Sequence, residues 1–209
     1  MNSPATVSID VWSDYVCPFC YLELPLIRQL QRDYGTRLAV SWRAFELRPE
    51  PLPTLEPEGD YLRDTWARAV YPMAELRRMA LRLPAVQPRS RMAFELARFA
   101  ADNGRFDAVH EALFRAFFEE GLDIGDEAVL LELAEREGLD TEALRHAIET
   151  GRYLEAIFAD RQEAEHWGIR GVPALLVRGQ RNPEQAQVIA GAVDFPRLQA
   201  AVEQVLARQ

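Results

Sequence analysis

The chain contains two cysteines, Cys17 and Cys20, separated by two residues. If the segment between them is helical, their Cα atoms lie roughly 5–6 Å apart, a distance that suits a disulfide. Reversible thiol chemistry is therefore the favoured interpretation. Half of a zinc site and a chance pairing are the alternatives. Zinc usually needs four ligands, and the remaining candidates, His110, His146 and His166, are not paired at ligand spacing and are expected to be solvent-exposed helix residues.

The residues around the pair predict how the two thiols divide the work. Pro18 is suited to the first position of a helix, where its missing N–H costs nothing, so Cys17 directly precedes the helix and Cys20 lies in its first turn. Free N–H groups and the helix dipole favour an anion at Cys17, which predicts that Cys17 is the attacking thiolate. Cys20, one turn deeper, is expected to be less exposed and to act as the resolving thiol.

The elements before and after this turn predict a βαβ unit. Apolar residues alternate over Val7–Trp12, which indicates a strand, and a turn over residues 13–15 follows it. The helix that starts at Pro18 is expected to end at Gly35, and residues 38–44 alternate again as a second strand. Such a unit favours a right-handed crossover and a parallel strand pair.

The middle of the chain is predicted to be helical and its end to return to the sheet. Polar residues start, and glycines follow, most of the predicted helices of the middle part. Two short strands and a last helix then follow. The predicted fold class is α/β, in which an all-helical insertion separates two parts of one domain: 1–50, 51–167 and 168–209. The predicted helices are one that Asp60 caps and Pro72 interrupts, one that Ser90 caps and that ends at Asn103, and those at 106–120, 126–137, 140–150, 153–167 and 195–208; the late strands are 174–177 and 188–190.

A second candidate feature is the tripeptide Gly171-Val172-Pro173, at the start of the first late strand. A proline there usually does no more than end a hydrogen-bond ladder. Here, however, the returning sheet is expected to pass beside the Cys17 turn. A cis Val172–Pro173 bond at that place would direct the Val172 backbone towards an approaching peptide or thiol.

These features together resemble one known family. The stretch Ser13–Tyr21, the helical insertion and the late Val-Pro are similar to the thioredoxin-like DsbA family, in particular to its FrnE-like branch, which is related to 2-hydroxychromene-2-carboxylate isomerases and kappa-class glutathione transferases. The resemblance implies a thioredoxin-like fold with Cys17 as attacking thiol, Cys20 as resolving thiol and Pro173 as cis-proline. It also implies that Pro18, Phe19, Val172 and Pro173 contact substrate. Periplasmic members have His where this chain has Phe19.

The predicted function is that of a thiol–disulfide oxidoreductase or isomerase acting on protein or small-molecule thiols and disulfides. The alternative is a glutathione-dependent isomerase or transferase, although such relatives generally carry Ser in place of Cys17. No cofactor or metal is expected, and glutathione is the candidate redox partner. Asp14 is a candidate proton relay for Cys20, or else it caps the turn.

Charge and composition narrow the choice of partner and compartment. A net charge of −9 makes a nucleic-acid or membrane-surface role unlikely on electrostatic grounds. Residues 1–6 do not resemble a secretory signal, so the expected compartment is the cytoplasm. Monomer and homodimer both remain open.

Overall fold

The computed structural model describes residues 6–57 and 59–208. The prediction that residues 1–6 are not a secretory signal therefore concerns residues that lie, all but one, outside the described part of the chain. The structure is mixed α/β, with the predicted order of elements. The strands are β1 (Val7–Ser13), β2 (Leu38–Ala44), β3 (Ala174–Gly179) and β4 (Gln187–Ala190). The helices are α1 (Pro18–Tyr34), α2 (Asp60–Thr65), α3 (Tyr71–Arg77), α4 (Arg91–Asp102), α5 (Phe106–Arg115), α6 (Glu127–Arg136), α7 (Thr141–Glu149), α8 (Leu154–His166) and α9 (Phe195–Leu206).

The four strands form one mixed sheet in the order β2-β1-β3-β4. β1 runs parallel to β2, which confirms the predicted βαβ unit, and antiparallel to β3. β4 pairs antiparallel with β3. On one face, the odd-numbered residues of β1 form a buried core with apolar residues of α1 such as Ile27 and Leu30. The alternation of β1 therefore determines which of its residues face α1.

The first strand extends one residue beyond its predicted end. Ser13 pairs with Ala44 in the parallel ladder, and its carbonyl oxygen accepts a hydrogen bond from Phe45 N at 3.0 Å. The prediction that Ser13 belongs to the turn is therefore wrong, because β2 provides a partner for its backbone. The turn itself lies at Tyr15 and Val16.

The chain divides into two compact units, which are Met1–Phe45 with Asp160–Gln209, and Glu46–Ala159. The predicted divisions, after residues 50 and 167, lie a few residues further along the chain than the observed divisions, which follow Phe45 and Ala159. Contacts within each unit account for the difference. The carboxylate of Glu46 accepts hydrogen bonds from Arg91 of its own unit. Asp160 receives hydrogen bonds from Ala44 N through its side chain and from Trp12 Nε1 through its carbonyl oxygen.

The predicted helices of the middle segment form, with corrections at Asp60, at Pro72 and at Ser90, which holds the N-cap position of α4 but makes no cap hydrogen bond through its side chain. Asp126 and Asp140 accept hydrogen bonds from the first turns of α6 and α7, as their positions predict. The helix from residue 60 is not interrupted at Pro72. Instead a π-helical turn, Trp66–Val70, connects α2 to α3, and Tyr71 N bonds to Trp66 O. Pro72, the second residue of α3, lies within this continuous helical run and has no N–H to donate to the preceding turn, and Gly59 rather than Asp60 holds the N-cap position.

One histidine lies in a different environment from the predicted one. His110 is 3% exposed, whereas His146 and His166 are exposed as expected. The ring of His110 lies between those of Phe106 and Phe114, with centroid distances of 5.0 and 5.2 Å. Packing against aromatic residues of α5 thus buries His110 within the helical unit. No helix of the described residues is both long and apolar enough to cross a membrane.

Candidate active site

The turn between β1 and α1 holds the two cysteines at the start of the helix. Cys17 is the N-cap residue of α1 and has an extended backbone, while Pro18 is the first helical residue, as predicted. Cys17 N donates to Asp14 O at 3.0 Å, and Cys20 N donates to Cys17 O at 3.1 Å. Cys17 is 4% exposed and Cys20 is 1% exposed, and both are free thiols. The site is therefore a dithiol at a helix N-terminus, with Cys20 the more deeply buried member.

The segment before β3 forms the second wall of the site. The thiol of Cys17 donates to the carbonyl oxygen of Val172 with an S···O distance of 3.6 Å. The Val172–Pro173 peptide bond is cis. Sheet register explains the contact, since Trp12 at the end of β1 lies opposite Ala174 at the start of β3. Antiparallel pairing thus places residues 172 and 173 beside the turn that carries Cys17.

The environment of Cys20 disfavours its thiolate. Burial raises the pKa of Cys20 well above its usual range, and a hydrogen bond with Cys17 and the charge of Cys17 raise it further. Two donors act in the opposite direction, the backbone N–H of Asp14 and the hydroxyl of Ser13. Cys20 therefore retains its proton to higher pH than an ordinary thiol.

The remaining predicted site residues lie in the turn before α1, in the first turn of α1, and in the segment before β3. Pro18 and Phe19 are partly exposed at the start of α1, and Val172 is partly exposed, whereas Pro173 is buried. Asp14 is fully buried, and its Oδ1 accepts from Val16 N at 3.4 Å, which closes the turn. The proposed proton relay through Asp14 stays a prediction.

Sequence reasoning missed two buried polar residues near the thiols. Ser13 shares the α1-facing side of β1 with Val11, because odd-numbered residues of the strand face the core. Continuing the predicted alternation by one step would have found it. Glu23, one helical turn after Cys20, is also buried, and its carboxylate accepts from Val193 N at 3.5 Å. No pattern in the sequence marks Glu23, since its partner is 170 residues away.

A cavity of about 370 Å³ opens beside the Val172 wall. Apolar side chains and backbone dominate its lining, which includes Ile169, Val172, Val188 and Ala190, and Arg170 is the charged residue among its lining residues. No group of three His, Cys, Asp or Glu side chains between residues 6 and 208, Glu58 apart, is arranged to hold a metal ion.

Comparison with known proteins agrees with this geometry. Residues 8–203 match the model of the DSBA-like thioredoxin domain. The chain belongs to this family. A protein of Bacillus subtilis named uncharacterized protein YwbO is 37% identical over 179 residues, which cover 82% of this chain and 87% of that protein.

Three solved structures show the same fold. The probable DsbA oxidoreductase SCO1869 of Streptomyces coelicolor has a TM-score of 0.78 at 24% identity, covering 97% of this chain and 91% of its own. A 2-hydroxychromene-2-carboxylate isomerase has a TM-score of 0.76 at 19% identity, covering 96% and 97%. The cytosolic disulfide reductase DsbM of Pseudomonas aeruginosa, solved with glutathione, has a TM-score of 0.68 at 24% identity, covering 96% of each chain. These similarities confirm the predicted thioredoxin-like fold and the resemblance to the DsbA family.

Proposed function

We propose that the protein is a thiol–disulfide oxidoreductase that uses Cys17 and Cys20 as its dithiol. The observation that carries the proposal is the pair of free thiols at the start of α1, with the sulfur of Cys17 in contact with Val172 O. A thiol that directly precedes a helix is next to N–H groups that stabilise an anion. The buried Cys20, with its raised pKa, keeps its proton until the first step is over.

The proposed reaction proceeds by two exchanges. The Cys17 thiolate attacks one sulfur of a substrate disulfide, a Cys17–substrate disulfide forms, and the other substrate sulfur leaves as a thiolate that takes up a proton. Cys20 then loses its proton and attacks Cys17 Sγ. The Cys17–Cys20 disulfide forms, the second substrate thiolate leaves, and the substrate has gained two electrons. The reverse sequence oxidises a substrate dithiol.

The proposed substrates are peptides or small molecules that carry a thiol or a disulfide. Pro18 and Phe19 lie between the two cysteines, and Val172 O contacts the sulfur of Cys17; together with Pro173 they are the proposed contacts for the substrate chain. Glutathione is the proposed redox partner, and the cytosol the proposed compartment, where thiols are kept reduced. The name of the DsbM structure, a cytosolic disulfide reductase solved with glutathione, supports both proposals by similarity of fold.

Trapping of the first intermediate tests the proposal. Cys20→Ser is expected to attack a disulfide normally and to accumulate the mixed disulfide, because no second thiol resolves it; mass spectrometry measures the adduct. Cys17→Ser is the matched control and is expected to form no adduct and to lose insulin reduction. If Cys20→Ser traps nothing, or if Cys17→Ser retains activity, the assignment of the two thiols is wrong.

A glutathione-dependent isomerase or transferase is the alternative, and the fold similarity to the isomerase is its support. In such an enzyme glutathione itself is the nucleophile, and a second protein thiol is not needed. Two thiols within one turn are therefore the feature that favours the oxidoreductase. Glutathione conjugation by Cys20→Ser at the wild-type rate, without insulin reduction by the wild type, would favour the alternative.

A further inference from the structure

A buried hydroxyl lies at the end of β1, on the side of the sheet that α1 covers. Ser13 is 4% exposed, and its Oγ has no hydrogen-bond partner among the described residues. A buried hydroxyl without a partner is energetically unfavourable, so such groups are uncommon in folded proteins and call for an explanation.

The position of Ser13 relates this hydroxyl to Cys20. Val7, Ile9 and Val11 share one core with Ile27 and Leu30 of α1, which fixes the odd-numbered face of β1 against that helix. Ser13 continues this face at the end of the strand, where the chain turns into the first turn of α1. In that first turn Pro18 and Phe19 are partly exposed, whereas Cys20 is buried.

We propose that Ser13 donates a hydrogen bond to the Cys20 thiolate in the resolving step. This inference rests on the proposed function, in which the buried Cys20 must become a thiolate; the Ser13 hydroxyl is the group that stabilises it. When Cys20 loses its proton to solvent, its negative sulfur faces two donors, the Ser13 hydroxyl and the Asp14 N–H. Ser13 keeps its own proton throughout. The sulfur then attacks Cys17 Sγ, the Cys17–Cys20 disulfide forms, and the substrate thiolate leaves with the electron pair of the broken bond.

The electrostatics of the site agree with this role. The hydroxyl of Ser13 and the N–H of Asp14 lower the pKa of Cys20, while burial and Cys17 raise it. Cys17 is the one charged neighbour among these influences, and in the mixed disulfide its sulfur carries no charge. Its repulsion is then absent, and burial remains as the main obstacle to the thiolate. A hydrogen bond to an anion offsets part of that obstacle.

Reaction with Ellman's reagent separates the two steps. Attack by Cys17 releases one coloured thiolate at a rate proportional to reagent concentration, and resolution by Cys20 releases a second at a rate independent of it. We expect Ser13→Ala to leave the first phase unchanged and to slow the second about tenfold near neutral pH, as befits one charge-assisted hydrogen bond. The pH midpoint of the second phase is expected to rise by about one unit.

Two further variants isolate the hydroxyl from the shape of the side chain. Ser13→Thr and Ser13→Val have nearly the same shape, and only the threonine has a donor. Threonine is expected to restore the second phase relative to valine, and this difference remains measurable if both variants lose stability. Ser90→Ala is the matched control, because Ser90 is also buried and makes no side-chain cap of α4.

The outcomes distinguish this inference from the proposed function. A second phase whose rate and pH midpoint are the same in Ser13→Ala and the wild type would overturn the role of Ser13 alone. Equal slowing of both phases would show a structural role and overturn it too. If the wild type releases no second thiolate, Cys20 does not resolve, and the proposed function fails together with the role of Ser13.

Discussion

A buried carboxyl in the helical unit is expected to make the stability of this protein fall as the pH rises. Glu95 on α4 is 3% exposed, and its Oε2 has no hydrogen-bond partner among the described residues. Arg91, one turn earlier, is already bonded to Glu46 through Nε at 2.7 Å, and its guanidinium lies over the ring of Phe158. Burial raises the pKa of Glu95 to about 7; Arg91 lowers it and the negative charge of Glu46 raises it.

The direction of the pH effect follows from proton binding. Folded Glu95 is expected to retain its proton up to about pH 7, whereas in the unfolded chain it loses the proton near its ordinary pKa of about 4.5. Between these values the unfolded state binds fewer protons, so the free energy of unfolding decreases as pH rises. The pKa difference of about 2.5 corresponds to about 3 kcal/mol, an upper value because relaxation around the charge reduces it.

Glu95→Gln tests this reasoning, because glutamine has the shape of the protonated acid and does not titrate. The variant is expected to match the wild type below about pH 4.5 and to be more stable by up to about 3 kcal/mol above about pH 7.5. Urea unfolding followed by circular dichroism at a series of pH values gives the difference. Glu75→Gln, at an exposed position of α3, is the control and should follow the wild type.

A second substitution removes the negative charge of Glu46, which lies near Glu95. Glu46→Gln removes the neighbouring charge and leaves Arg91 to interact with Glu95, so the pKa of Glu95 should decrease and the pH dependence of stability should become weaker.

Parallel curves of unfolding free energy against pH for the wild type and Glu95→Gln would refute this reasoning, because Glu95 would then have the same pKa in the folded and unfolded states.

Three further predictions concern the dithiol and the sheet. Iodoacetamide is expected to modify Cys17 first and to leave Cys20 unmodified until alkaline pH, because the pKa of Cys20 is raised; peptide mass spectrometry that finds Cys20 modified first would contradict this. Phe19→His adds a donor beside Cys17 and should raise the reduction potential measured in glutathione buffers by about 30 mV for each ~1.4 kcal/mol of thiolate stabilisation, whereas an unchanged potential would argue against any contact. Asp160→Ala leaves the buried Ala44 N–H without its acceptor and should lower the free energy of unfolding by about 2–3 kcal/mol, against less than about 0.5 kcal/mol for Glu165→Ala in an exposed ion pair; equal losses would contradict the reasoning.

The sequence predicts most of the fold because its signals are local. Alternation marks β1 and β2, and Asp126 and Asp140 start the helices that they cap, since a strand face or a helix end is decided by neighbouring residues. The burial of His110 and the π-helical turn at Trp66–Val70 are not predictable in this way. The burial of His110 depends on packing among aromatic side chains, and the π-helical turn depends on how the helix accommodates Pro72. The sequence contains no periodic signal for either.

The surroundings of the dithiol include a contact that local sequence patterns do not predict. Pro18 predicts that Cys17 and Cys20 lie at the start of a helix, but the contact of Cys17 with Val172 spans 155 residues and depends on sheet register. Because β1 and β3 are antiparallel with Trp12 opposite Ala174, the residues before β3 must lie beside the residues after β1. A register shifted by two residues would keep every side chain on its own face of the sheet and would still move Val172 along β1 by nearly 7 Å. The contact between the thiol and the Val172 carbonyl therefore follows from strand pairing, and the long helical segment between β2 and β3 does not alter it as long as that pairing is kept.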